Sequence, residues 1–167
     1  MIRHKVRKRS TLAVASVVGA ACVAMVALGG CSGGTTSPIR LNSTLTGAQE
    51  VPPVVTTATG TGSVSLNTSN GTIVATLNTT GLTDVTAAHI HVGAPGDEGD
   101  PIFTLYTVAD GPFPAILNKT LTAADFTPTA GVATFSDALG VIRGGGAYFN
   151  VHTTANPEGE IRGQINP

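Results

Sequence analysis

Thr61-Gly-Ser-Val-Ser-Leu-Asn67, Thr68-Ser-Asn-Gly71 and Thr72-Ile-Val-Ala-Thr-Leu-Asn78 form one unit. Two runs alternate small or polar residues with branched apolar ones, and a turn separates them. Alternation at period two is the mark of a half-buried strand. Asn70-Gly71 supplies the positive φ angles of a tight turn, so the unit predicts a β-hairpin. Similar short runs lie on both sides of it. They predict strands over 41–47, 85–92, 101–108, 115–121, 147–153 and 159–165, the last two forming a C-terminal hairpin. Pro52-Pro53 confines its own stretch to an edge or a connection. Two segments read as short helical turns: 122–125, where Thr122 precedes Asp125 by three residues as in a capping box, and 136–142. Neither is long enough for the crossover that joins parallel strands. The expected fold is therefore all-β and antiparallel, an immunoglobulin-like, Greek-key sandwich or a barrel.

Composition narrows the function classes. Charged residues are 11% of the 167, against about a quarter in ordinary domains, and Trp is absent. The near-neutral total hides a split. Arg3, Lys5, Arg7, Lys8 and Arg9 precede any acid, and beyond them Arg40, Lys119, Arg143 and Arg162 face all ten acids. A nucleic-acid partner is excluded for that acidic part, since phosphate contacts need clustered Lys and Arg.

Residues 1–30 read as an address. MIRHKVRKRS is a positive n-region and TLAVASVVGAACVAMVALGG an apolar run. Leu28-Gly29-Gly30-Cys31 is similar to a bacterial lipobox, in which cleavage leaves a lipid-bearing Cys first. Cys22 fits less well, because Gly19 stands where that pattern has a branched apolar residue. An uncleaved membrane span and an ordinary signal peptide are the alternatives. The preferred organisation is a lipoprotein signal over 1–30, a lipidated Cys31 with a Gly/Ser/Thr tether over 31–40, and a β domain over 41–167. The expected location is the extracytoplasmic side of a bacterial cell membrane, with lipid on Cys31 as the membrane partner. With Cys22 removed and Cys31 acylated, no thiol is left for a disulfide or a thiolate metal site.

Three motifs then carry a family resemblance. Leu45-Thr-Gly-Ala-Gln-Glu-Val-Pro-Pro53 resembles the opening of a CHRD domain, the module named after chordin. Ala87-Ala-His-Ile-His-Val-Gly93 resembles its middle motif. Gly146-Ala-Tyr-Phe-Asn-Val-His-Thr153 with Asn156-Pro-Glu-Gly-Glu-Ile-Arg-Gly-Gln164 resembles its closing motif. The resemblance covers roughly 41–166. It implies an exported, non-catalytic binding or interaction module, with a surface protein or glycan as partner. It brings no catalytic residues with it.

The histidines offer a second reading. On a strand, residues two apart share a face. His89 and His91 therefore project together, as do Tyr148, Asn150 and His152, and as do Glu160, Arg162 and Gln164. Two imidazoles spaced H-x-H can chelate Zn or Cu, and His152 would complete a three-histidine set with an open position. The competing reading is structural: histidines hydrogen-bonded to Glu50, Asn150 or Glu160, with Arg162 in the same polar network. His89-Ile-His91 before a glycine and an acidic loop faintly resembles Cu,Zn superoxide dismutase. Only three exported histidines and no disulfide depart severely from that enzyme and leave room for at most one metal. Asp97, Glu98 and Asp100 lack EF-hand spacing and read as a solvated loop. Glu50 with Glu158 or Glu160 could be imagined as a glycosidase pair, but nothing fixes their separation and aromatic platforms are scarce.

Overall fold

Eight strands fold from these runs, and the computed structural model describes residues 37–167. The signal, Cys31 and most of the tether lie outside the described residues. In chain order come β1 (Ile39–Thr46), β2 (Thr59–Asn67), β3 (Thr72–Thr80), β4 (Val85–Val92), β5 (Pro101–Thr107), β6 (Ile116–Leu121), α1 (Phe135–Arg143), β7 (Ala147–Thr153) and β8 (Ile161–Gln164). The opening hairpin forms in register, Asn67 opposite Thr72. Its turn is looser than expected. Gly71 takes a φ of 65°, Asn70 stays at negative φ, and the Asn70 carboxamide oxygen accepts from Thr72 N at 3.2 Å and Oγ1 at 2.7 Å. The loop is thus four residues long, and the Asn side chain holds it closed.

All pairings are antiparallel and make one sheet in the order β5-β4-β7-β8-β1-β2-β3-β6. The all-β antiparallel expectation holds. The expected division into two immunoglobulin-like sheets is not what the pairing draws. β8 joins the halves by lying opposite β1, Arg162 facing Thr46, and the bridge between Asn42 and Asn166 continues that register. The sheet curls strongly. Phe149 of β7 packs on Gly62 of β2, three strands away, where a flat sheet would separate them by about 14 Å. Core-facing positions of β2 run Gly60, Gly62, Val64, Leu66, and the two glycines make room for Ile161 and Phe149. The segment after β6 crosses to the other edge, where Thr127 N donates to Ile102 O and Phe126 bridges Phe103. The result is a nearly closed, barrel-like sheet around Leu41, Leu45, Ile73, Leu77, Ile90, Phe103, Phe149 and Val151.

The predicted helical turns appear. α1 begins one residue early, with Thr134 and Asp137 forming its capping box, and buries Ala138 and Ile142. Thr122 and Asp125 box a 3-10 turn, and Thr107 with Asp110 repeats the device unpredicted. The predicted strand over 159–165 shortens to β8, because Gly159, at a φ of 139°, turns into the preceding loop, although Glu160 N still donates to Val151 O. Among the described residues no helix is long and apolar enough to cross a membrane.

Adding a methyl at Gly62 should test the curl, since its Cβ would stand 2.5 Å from the Phe149 ring. Gly62→Ala is expected to cost about 1–3 kcal/mol by urea denaturation, and clearly less in a Phe149→Leu background. Equal costs in the two backgrounds would contradict this packing.

Candidate metal centre

The register of three strands gathers the predicted polar residues onto one face. β4 and β7 pair so that His89 lies opposite Asn150, and His91 opposite Tyr148. β7 and β8 set Asn150 opposite Arg162, and Tyr148 opposite Gln164. Ala88, Ile90, Phe149, Val151 and Ile161 point the other way into the core. His152 leans diagonally from its opposite, Ala87, to His89, bringing Nε2 within 3.2 Å of His89 Nδ1. The three imidazole centroids stand 5.0, 5.4 and 5.7 Å apart. One nitrogen from each ring lies within 4.8 Å of the others.

Backbone carbonyls fix two of the rings. His91 Nδ1–H donates to Gly99 O at 2.8 Å, and His152 Nδ1–H to Pro157 O at 2.9 Å. Both Nε2 atoms are therefore lone-pair acceptors. A metal-binding imidazole is commonly oriented this way, its far N–H spent on a carbonyl or carboxylate. His152 Nε2 takes the His89 Nδ1–H, whereas His91 Nε2 is buried without a partner. Gly99 must be glycine, since a Cβ there would run into the Val92 carbonyl. Its amide also donates to Tyr148 Oη at 3.2 Å, and the Tyr148 ring stacks on His91 at 5.1 Å and 17°.

Arg162 holds the loop that carries Gly99. Its Nη2 donates to Ala94 O at 3.0 Å and Asp97 O at 2.8 Å, and its guanidinium carbon lies 3.5 Å from the Tyr148 ring centroid. Gln164 Nε2 adds bonds to Gly93 O and Gly145 O. The Asp97, Glu98 and Asp100 side chains are exposed, and the loop is engaged through its main chain.

The acids divide. Glu50, just past the 3-10 turn that follows β1, is buried and lines the cavity beside His91 and His152. Glu160 stands elsewhere: its carboxylate accepts from Thr56 Oγ1 at 2.7 Å and Thr153 Oγ1 at 2.8 Å, clamping the 54–58 loop. The histidines are oriented by carbonyls and not by acids, so the expected His–acid bonds are replaced by Gly99 and Pro157. Nothing in the sequence marked those two carbonyls.

Burial depresses all three imidazoles. His89 falls to about 4, through burial first and the neighbouring His152 and His91 next. His91 and His152 shift the same way, again chiefly through burial, partly offset by their carbonyl bonds. Burial lifts Glu50 to about 7, with Arg162 and Asn150 pulling it back. At neutral pH the rings are uncharged, the state in which imidazole binds metal.

Fold and face together define an antiparallel β domain with a three-histidine centre and, in its described residues, no thiol. The chain belongs to the CHRD domain family, whose model matches residues 41–165. No curated protein and no solved structure matches it.

These shifts set a pH dependence for the metal-free domain. Unfolded His89 takes its proton near 6.5 and folded His89 near about 4, so stability falls as pH drops through that window. His91 and His152 act in the same direction. Glu50 opposes them, because the folded chain holds its proton up to about 7 while the unfolded one releases it near 4.5. The urea midpoint should decline from pH 7.5 to 5, and more steeply in Glu50→Gln. A midpoint that rises on acidification would contradict the buried, neutral histidines.

Proposed function

We propose that this chain is an exported, non-catalytic binding module, anchored through lipid on Cys31, whose ligand is one Zn or Cu ion held by His89, His91 and His152. The observation that carries the metal reading is the unpartnered, buried His91 Nε2. It belongs to a ring pinned at Nδ1, beside two more imidazole nitrogens. A purely structural histidine is expected to use its acceptor, since an unmet buried acceptor costs about 1–3 kcal/mol. The donor set suits borderline metals. It is three imidazoles, with no thiolate or thioether, and leaves an open position. A metal at His152 Nε2 would take the lone pair that now accepts the His89 Nδ1–H. Membership of the CHRD family supports the binding-module part. The lipobox-like Leu28-Gly-Gly-Cys31 supports the anchor.

The test uses the full chain, purified in detergent without chelator or nickel resin. About one equivalent of Cu(II) or Zn(II) should bind. His91→Ala and His152→Ala should each lose more than about 100-fold in affinity, beyond the 10–100-fold of an outer partner. Retained circular dichroism would separate this from unfolding. Absence of any titratable site in the wild type would overturn the metal reading. Separately, the chain expressed in a bacterial host should take up labelled fatty acid, and Cys31→Ala should lose the label.

A further inference from the structure

The cavity beside the histidines contains more unmet acceptors than a bare metal ion answers. It measures about 220 Å³ and is lined by Glu50, His91, Tyr148, Asn150, His152 and Arg162 among others. Three of these side chains are more than nine-tenths buried, and each has a polar atom without a partner: Glu50 Oε1, His91 Nε2 and Asn150 Oδ1. All three atoms are hydrogen-bond acceptors when Glu50 is ionised. A metal on the histidines would satisfy His91 Nε2, and Glu50 is not among the converging ligands. Of the donors nearby, three atoms already have partners. Arg162 Nη2 serves Ala94 and Asp97, Asn150 Nδ2 serves Glu158 O, and Tyr148 Oη meets Gly99. Glu98 and Glu158 also line the cavity, so acids outnumber its one cation.

We infer that the open position of the three-histidine metal takes a small neutral protic ligand, a water or a nitrogen base bearing N–H, whose hydrogens go to Glu50 Oε1 and Asn150 Oδ1. This rests on the metal reading above. Glu50 and Asn150 are then positioning residues that set ligand selectivity. They provide acceptors for a ligand that brings a lone pair to the metal and a donor to the protein, and the acidic lining opposes aprotic anions. The volume suits either a few waters, at about 30 Å³ each, or one five-membered ring.

The full chain in detergent, loaded with Cu(II) at pH 8, tests this by absorption and electron paramagnetic resonance. Three probes are used: azide, imidazole and 1-methylimidazole, the last two differing in the N–H. Wild type should prefer imidazole over 1-methylimidazole by about tenfold, the worth of one charge-assisted hydrogen bond. Glu50→Met, near in size but without the acceptor, should bring that ratio close to one. Glu50→Gln, which removes the charge and puts an N–H donor in place of one acceptor oxygen, should tighten azide by about tenfold. Copper affinity should fall by less than about 100-fold in both variants, unlike the histidine variants. Failure of wild type to bind copper, seen before any probe is added, would overturn the metal reading and this inference with it. Copper bound normally with probe affinities unmoved by either variant would overturn this inference alone. Loss of copper in Glu50→Gln would also overturn it, by making Glu50 a ligand. If one variant does not fold, the other carries the test.

Discussion

Pairing of β8 on both of its sides is the constraint on which the site depends. Arg162 sits opposite Asn150 on one side and Thr46 on the other, so one short strand both joins the sheet's halves and delivers the buried cation. A buried guanidinium is costly unless its donors are met. Here Nη2 is met by two loop carbonyls and the plane lies over Tyr148. Satisfying that charge fixes the 93–100 loop, and the loop supplies the carbonyl that orients His91. Strand order, loop position and imidazole tautomer are thus links of one chain of cause.

The same arrangement explains why three imidazoles can crowd together. Charged rings at 5–6 Å would repel, and each would lose hydration on burial. Burial removes the protons, and the neutral His89 and His152 rings then share a hydrogen bond instead of repelling. Glu50 lies on the other side of this balance: burial makes its carboxyl hold the proton more tightly than usual, against the pull of Arg162 and Asn150. The polar face is therefore organised around acceptors.

Much of this was legible in the residues. Parity along 85–92 and 147–153 placed His89 and His91 together and Tyr148, Asn150 and His152 together, because side-chain alternation is a local property of a strand. The Asn-Gly hairpin and the Thr122-x-x-Asp125 cap were readable for the same reason. What joined the groups was not. The diagonal reach of His152 to His89 depends on the β4–β7 register, and the β8–β1 junction depends on the curl that Gly62 and Phe149 permit. Glu160 broke its expected parity because it lies one residue outside β8, where alternation no longer applies. The carbonyls of Gly99 and Pro157 carry no sequence signature, since every residue has one.

The bonds that hold the 93–100 loop leave its composition open to drift. Arg162, Gln164, His91 and Tyr148 all engage it through main-chain atoms of Gly93, Ala94, Asp97 and Gly99. Ala94, Pro95 and Asp97 are exposed, and so is Glu98, at the edge of the cavity. Lineages can therefore rewrite the charge and bulk of this rim, and with it whatever the rim meets outside, while Gly93 and Gly99 keep the backbone path. Changes on that rim would leave the carbonyl that orients His91 in place, which uncouples the outer surface from the interior chemistry.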